Sequence, residues 1–272
     1  MAVTPTEKRA TFHALHRQGC FVIPNPWDVG SAIALEALGF KALASTSAGF
    51  AWTLGLPDGA PTRDQVLLHL SELAAAVEIP VNADFEGGFA VKPEGVAANV
   101  RLAVETGIAG LSIEDSTGDE AAPLFEFDLA VARIAAARSA IDATAGDVLL
   151  TGRSEGFIRG RPDLEETIRR LVAYSEAGAD CLYAPGIHTP EDIAEVVAAV
   201  SPKPVNVLSP GQSTGALQEL GVRRISVGGS LARAAWAGFY AAAQEIRDSG
   251  EFSALAKGAS GRELNELFAG RA

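Results

Sequence analysis

Cysteine is scarce: Cys20 and Cys181 are the only two among 272 residues. Two thiols exclude a disulfide framework and a multi-cysteine zinc site. Both lie in apolar runs, which predicts buried core thiols. Basic residues are also few, 22 against 34 acidic ones, giving a net charge of −12. That deficit argues against nucleic acid or an anionic membrane surface as main partner, since both demand basic patches. A small anionic substrate stays open, because a site can be locally positive or hold a metal. Long apolar runs are missing, and none reaches the roughly 18 residues of a membrane helix. The Met1–Arg9 segment lacks the charged-then-apolar layout of a signal peptide. The expectation is a cytoplasmic protein that binds no membrane. Hydrophobic residues make up 48% of the chain, enough to bury a sizeable core.

Short apolar runs alternate with longer amphipathic ones. Strands are predicted at 20–24, 41–45, 80–84, 109–114, 148–153, 180–184, 204–208 and 223–227. Helices are predicted at 29–38, 63–77, 93–105, 129–143, 164–177, 190–200, 214–220 and 231–247. A last helix over 252–268 closes the chain. Parallel strands with helical crossovers follow from this alternation. Eight units, spaced by about 29 residues, point to a (β/α)8 TIM barrel spanning 1–272 as one domain. A doubly wound open sheet is the alternative, weakened because no Gly-x-Gly-x-x-Gly follows the first strand. Capping-box spacing at Thr62–Gln65 and Asp163–Glu166, and Thr189-Pro190, mark helix starts. Gly107 and Gly178 mark helix ends. The longest units carry extra residues at 46–61 and 115–127, which a barrel places on its catalytic face as loops.

Barrels concentrate chemistry at the C-terminal ends of their strands. Three carboxylates stand there on neighbouring strands three and four: Asp84, Glu86 and Glu114. Asp58 is nearby in the first long loop. Such acids repel one another in a partly dry site, and a hard divalent cation with oxygen ligands removes the conflict. The competing reading is helix capping or pairing with Arg and Lys. The small turn Ser45-Thr46-Ser47-Ala48-Gly49 can aim N–H groups and hydroxyls at a carboxylate. Arg153 ends strand five and suits bidentate contact with a carboxylate or phosphoryl group, unless Glu155 or Asp115 takes it up. Trp27 and Asn206 end strands one and seven and are further candidates for substrate contact. Gly228-Gly229-Ser230 could bind a phosphate, which supports a metal-independent rival enzyme. His13, His16 and His69 fall in helical stretches, and only His188, after strand six, could reach the site. No Ser–His–Asp arrangement and no strand-end cysteine can be argued.

In order, these residues resemble the isocitrate lyase/phosphoenolpyruvate mutase superfamily. The resemblance runs from Phe21 to about Trp236. It rests on Asn25-Pro26-Trp27-Asp28, Leu54–Asp58, Asp84-Phe85-Glu86-Gly87-Gly88-Phe89, Gly110–Asp115, Gly152-Arg153 and Glu176–Asp180. It implies a barrel whose C-terminal helix is swapped between subunits of a homotetramer, a dimer of dimers. It implies Mg2+ (Mn2+ as a substitute) held by Asp84, with Asp58, Glu86 and Glu114 acting mainly through waters. It implies 2-oxo acid substrates, a Ser45–Ala48 turn holding their carboxylate, and Arg153 neutralising an enolate. Family chemistry makes or breaks a C–C or P–C bond beside the carbonyl. The lid of isocitrate and 2-methylisocitrate lyases carries a catalytic cysteine, whereas Ser116–Pro123 here has none. The Lys and Asn of the phosphonate enzymes' lid are absent too, and the lyases' Ser-Gly-Gly turn reads Thr46-Ser47-Ala48. The expectation is therefore a Mg2+-dependent lyase or decarboxylase of a small 2-oxo acid such as oxaloacetate. The alternatives are a P–C bond mutase or hydrolase, and a barrel that binds 2-oxo acids without turning them over.

Overall fold

The computed structural model describes residues 3–144, 147–208 and 211–269. Its strands are β1 (Phe21–Ile23), β2 (Leu43–Ala44), β3 (Val81–Asp84), β4 (Gly110–Glu114), β5 (Leu149–Arg153), β6 (Cys181–Tyr183), β7 (Val205–Leu208) and β8 (Arg224–Ser226). All ladders are parallel, in the order β1-β8-β7-β6-β5-β4-β3-β2. The seam between β1 and β2 is joined where Ala44 N–H donates to the carbonyl of Pro24 at 3.0 Å. The order follows the sequence with no strand skipped, so a nearly closed eight-stranded barrel results. Each predicted strand is present within a residue or two.

The outer helices are α2 (Val29–Ala37), α4 (Arg63–Ala76), α5 (Pro93–Glu105), α6 (Phe127–Asp142), α7 (Leu164–Glu176), α8 (Pro190–Val200), α9 (Thr214–Glu219) and α10 (Ser230–Ser249). Their starts carry the expected chemistry. Thr62 and Gln65 form a reciprocal capping box, and Thr189 caps a helix whose first residue is Pro190. Asp163 also caps, but the Glu166 side chain turns to Arg169 and Arg170 instead of completing the box. The helices bury one face on the sheet. Val96, Val100 and Val104 of α5 join Ile134, Ala137 and Ile141 of α6 in the main core, each large side chain contributing about 1.5–3 kcal/mol.

One further helix lies in the helical stretch expected around His13 and His16, another lies where the sequence predicts none, and one predicted helix is broken. α1 (Pro5–Leu15) closes the N-terminal end of the barrel. Its Phe12 is 0% exposed among Ile23, Ala42, Ala109, Leu149 and Cys181. Lys8 donates to the carbonyls of Ala74 and Val77, and Arg9 to those of Val104 and Ile108, so α1 caps the ends of α4 and α5. α3 (Ser47–Thr53) occupies the first half of the 46–61 stretch read as a loop. Gly49 permits it: a Cβ there would meet Thr46 Cγ2 at 2.6 Å and Trp27 Cβ at 2.9 Å. The predicted 252–268 helix is a 3-10 turn at Ser253–Lys257 and α11 (Gly261–Ala269). The break falls at Gly258-Ala259-Ser260, where glycine weakens the helix. α11 rests on α2 of its own chain, with Phe268 Cζ 3.7 Å from a Cβ built on Gly30. Among the described residues no helix is long and apolar enough to cross a membrane.

The barrel interior is polar. Asn82, Ser112, Asn206, Arg224 and Ser226 are buried and line one cavity, where many barrels carry Val, Ile and Leu. Arg224, 3% exposed, donates to Asn206 Oδ1 at 2.8 Å and Thr151 Oγ1 at 3.0 Å. It also meets His16 Nε2 at 3.3 Å. Since guanidinium only donates, His16 accepts there, and its Nδ1–H must serve the Phe12 carbonyl 2.7 Å away. Cys181 is buried as expected, whereas Cys20 is only half-buried.

Burial, then the neighbouring Arg224 charge, pull His16 down to about 3. The unfolded chain therefore takes up this proton near pH 6.5, and the folded one only near 3. Stability is expected to fall as pH drops through that window, at up to about 1.4 kcal/mol per pH unit from this group. Urea unfolding at several pH values checks it. His16→Gln should flatten the slope between pH 6.5 and 4, and an unchanged slope would show that His16 titrates normally in the fold.

Candidate active site

Strand register assembles the site. Glu114 pairs with Arg153 across β4 and β5, and Arg153 with Tyr183 across β5 and β6. The three side chains form a row at one end of the barrel. Arg153 Nη1 lies 3.2 Å from both Asp84 Oδ1 and Glu114 Oε2, and its Nε donates to Glu155 Oε1. Nη2 makes no bond to a described residue, and the Tyr183 ring centroid is 5.2 Å from Cζ. Burial works against the charge on Arg153, yet Glu114, Glu155 and Asp84 outweigh it and hold the guanidinium protonated. Burial lifts Glu114 above the usual carboxylate range against the pull of Arg153. Arg159, half-exposed on the turn after β5, lies 3.8 Å from Glu114 and 3.5 Å from Glu155.

A cavity of about 190 Å³ opens beside this hub. Its walls include Ser45, Thr46, Ser47, Ala48, Asp58, Asp84, Arg153 and Asn206, so most of the residues singled out in the sequence meet there. Glu86 and Glu114 face an adjoining cavity of about 700 Å³ that shares Ser47, Asp58 and Arg153. Trp27 lines neither and packs behind Gly49 of α3. His188 is exposed and bonds the Gly186 carbonyl. The Ser45–Ala48 turn has structural duties. Ser45 Oγ accepts from Asp84 N–H at 2.8 Å, Ser47 N–H donates to Asp84 Oδ2 at 3.1 Å, and Thr46 caps α3. The N–H groups of Val227 and Gly228 both donate to Asn25 Oδ1 at 2.9 Å, so Gly228 offers none to a phosphate.

The loop after β3 is strained and clamped. Glu86 and Phe89 hold positive φ angles of 46° and 53°, uncommon for side chains of this size. Arg133 of α6 donates to the carbonyls of Gly87, Ala90 and Val91 and stacks 3.8 Å over Phe125. Asn99 of α5 donates to Gly88 and Phe89. Behind β4, Asp115 accepts from Arg170, the Tyr174 hydroxyl and Glu155 N–H, so it is this network and not Arg153 that uses its charge. Residues 115–125 fold back as a narrow hairpin through Thr117 N–H to Pro123 and Phe125 N–H to Asp115. Tyr183, Arg159 and Arg133 escaped the sequence reading. Only Tyr183 left a signal, since it alternates inward with Cys181 along β6.

Burial first, then the charges of Asp84 and Asp58, push Glu86 up to about 7. Its carboxylate has no ion pair among the described residues, so positive charge at this end of the cluster is short. The oxygen donors of Asp58, Asp84 and Glu86 suit a hard divalent cation by chemistry. Among the described residues no group of three His, Cys, Asp or Glu is arranged to hold a metal alone, so waters would complete its shell.

The sequence profile described as phosphoenolpyruvate phosphomutase matches residues 12–247. An uncharacterised protein of Mycobacterium tuberculosis is 37% identical over 240 residues, 87% of this chain and 88% of its own. The oxaloacetate decarboxylase of Paraburkholderia xenovorans is 30% identical over 72% of this chain and 66% of its own. Among solved structures, a Burkholderia cenocepacia J2315 protein named by class alone, as a lyase/mutase, is 48% identical. Its TM-score is 0.95 with 97% of each chain covered. Oxaloacetate acetylhydrolase in complex with oxalate has a TM-score of 0.87 at 25% identity, over 97% of this chain and 94% of its own.

Removing the hub cation leaves Asp84 uncompensated, and Glu114 and Glu155 with only the longer contacts of half-exposed Arg159, in a partly dry site. Arg153→Met is expected to lose about 3–5 kcal/mol of unfolding free energy in guanidinium chloride at neutral pH. A loss below about 1 kcal/mol would mean that water, not Arg153, neutralises these acids.

Proposed function

The chain belongs to the phosphoenolpyruvate phosphomutase family, and on that premise we propose that it is a divalent-metal-dependent C–C lyase or decarboxylase of a small 2-oxo acid such as oxaloacetate. Lyases and mutases share this superfamily, and the decarboxylase relative supports the C–C assignment. The observation that carries the reading is Arg153 at the mouth of a cavity of about 190 Å³. That volume is well below the roughly 300–1,000 Å³ that drug-sized ligands need. It suits an acid of a few carbons.

The chain's own groups have definite tasks. Arg153 stays protonated, and Glu155 and Asp84 fix its plane. Its unengaged Nη2 is the donor left for an oxygen of the substrate. When C3–C4 of oxaloacetate breaks, CO2 leaves and the electron pair moves onto the C2 oxygen. Arg153 stabilises that developing enolate charge, worth a few kcal/mol of barrier. A proton from water then reaches C3 and yields pyruvate. A divalent cation held by Asp84, with Asp58, Glu86 and Glu114 mainly through waters, would add Lewis-acid polarisation of the 2-oxo group. Ala48 and the Ser45 hydroxyl line the cavity where the C1 carboxylate would sit. No lid cysteine is required, consistent with a 116–125 hairpin that has no Cys, His or Lys.

The family's name favours a second reading, P–C bond chemistry on phosphonopyruvate, and the same assay separates the two. Purified protein with Mg2+ is expected to form pyruvate from oxaloacetate well above the metal-only rate. Asp84→Ala should lower kcat/KM by about 100-fold or more. Phosphoenolpyruvate formed from phosphonopyruvate, with no pyruvate from oxaloacetate, would transfer the site to the mutase reading.

We further propose the homotetramer with exchanged C-terminal helices, in which α11 leaves the α2 of its own chain for the same seat on a partner. Trp236, Phe239 and Tyr240 of α10 form an exposed aromatic cluster with ring centroids 5.5–5.7 Å apart. Sedimentation is expected to give four chains, and Phe239→Lys smaller species. A monomeric wild type at micromolar concentration would end this proposal.

A further inference from the structure

The floor of the cavity holds a positive charge that no carboxylate among the described residues neutralises. Arg224 begins β8, is 3% exposed, and lines the same cavity as Arg153 and Ser47. Its three described partners, Asn206, Thr151 and His16, are uncharged acceptors at 2.8, 3.0 and 3.3 Å. Guanidinium has five N–H groups, so two remain without an acceptor among the described residues. Most buried charges are paired, because an isolated one is costly. A barrel interior gains nothing for stability from such a group, and Met, Leu or Val would fill the volume. The surroundings are built to keep the charge in place. Asn206 accepts from Arg224 and passes its own N–H to Ser226 Oγ at 3.0 Å, and His16 Nε2 accepts from below. Thus the cavity has one cation at its mouth and a second, uncompensated one at its base.

We propose that Arg224, with Asn206 and Ser226, binds the distal carboxylate of a dicarboxylic acid whose other end lies at Arg153. The floor is thereby the element that selects a diacid over a monoacid of equal length. This rests on the proposed reading of the cavity as a small-acid site, and it adds the charge of the acid's far end. It also gives the polar interior a purpose that stability does not supply. The match is electrostatic: a buried guanidinium with N–H groups to spare against a carboxylate, in a cavity of about 190 Å³.

Calorimetric binding of L-malate and 2-hydroxybutyrate in the presence of Mg2+ tests this without turnover. The two acids share the 2-hydroxy acid end and differ at C4, a carboxylate against a methyl. Wild type is expected to bind malate at least 10-fold more tightly. Arg224→Met should erase that preference while leaving 2-hydroxybutyrate affinity within about threefold. Because Arg224→Met can fail to fold, Asn206→Asp serves as the shape-preserving variant. It places a carboxylate against Arg224 Nε, cancels the charge, and should also erase the preference. Equal binding of both acids by wild type, no malate binding, or a preference that survives both variants would overturn the proposal. Failure to make pyruvate from oxaloacetate, with the Arg224-dependent preference intact, would instead reject the decarboxylase reading and leave the floor standing.

Discussion

One guanidinium lets three carboxylates share the rim of this barrel. Asp84, Glu114 and Glu155 come from three different strand ends, and without Arg153 their charges would repel in a half-dry space. The pairing is strong because the β4–β5 ladder puts Glu114 and Arg153 in register, so little side-chain freedom is lost in bringing them together. The neutralisation is nevertheless incomplete. Glu86, two residues beyond Asp84, is raised first by burial and then by Asp84 and Asp58, and it sits on a backbone turn with φ of 46°. Charge shortage and backbone strain coincide at the place where a cation and a substrate would meet, as expected of a site held ready for ligands.

The scaffold behind the rim is as polar as the rim itself. Arg133 and Asn99 tie down the strained turn through its carbonyls, and Asp115 joins Arg170, Tyr174 and the backbone of Glu155. These groups do not face the cavity of about 190 Å³, but they set the angles from which Glu86 and Glu155 approach it. Beneath lies the uncompensated Arg224, and beneath that a neutral His16 sealing the barrel with α1. From the closing helix upward, His16, Arg224, Thr151, Asn206 and Ser226 form one hydrogen-bonded run where a more stable barrel would place aliphatic side chains. The balance is kept by the outer shell, where the faces of α5 and α6 bury a continuous apolar layer against the strands.

Much of this is local information. The eight strand–helix units, their caps at Thr62, Asp163 and Thr189, and the strand-end positions of Asp84, Glu114 and Arg153 follow from periodicity and capping chemistry. Those signals act over a few residues, so a single chain displays them. The order of motifs also carried the superfamily, because strand-end residues in a barrel are forced to converge whatever lies between them.

Tertiary structure decided what depends on neighbours distant in sequence. It turned Ser47–Thr53 into a helix because Gly49 can press against Trp27. It gave Asp115 to Arg170 rather than Arg153, and it assigned Ser45 and Ser47 to holding Asp84. It left Trp27 out of the cavity and brought Tyr183, Arg159 and Arg224 to it or its rim. The residue types at the strand ends were written in the chain. Which charge meets which was settled by strand register and barrel closure, since Coulomb interactions depend on distances in space that sequence separation does not encode.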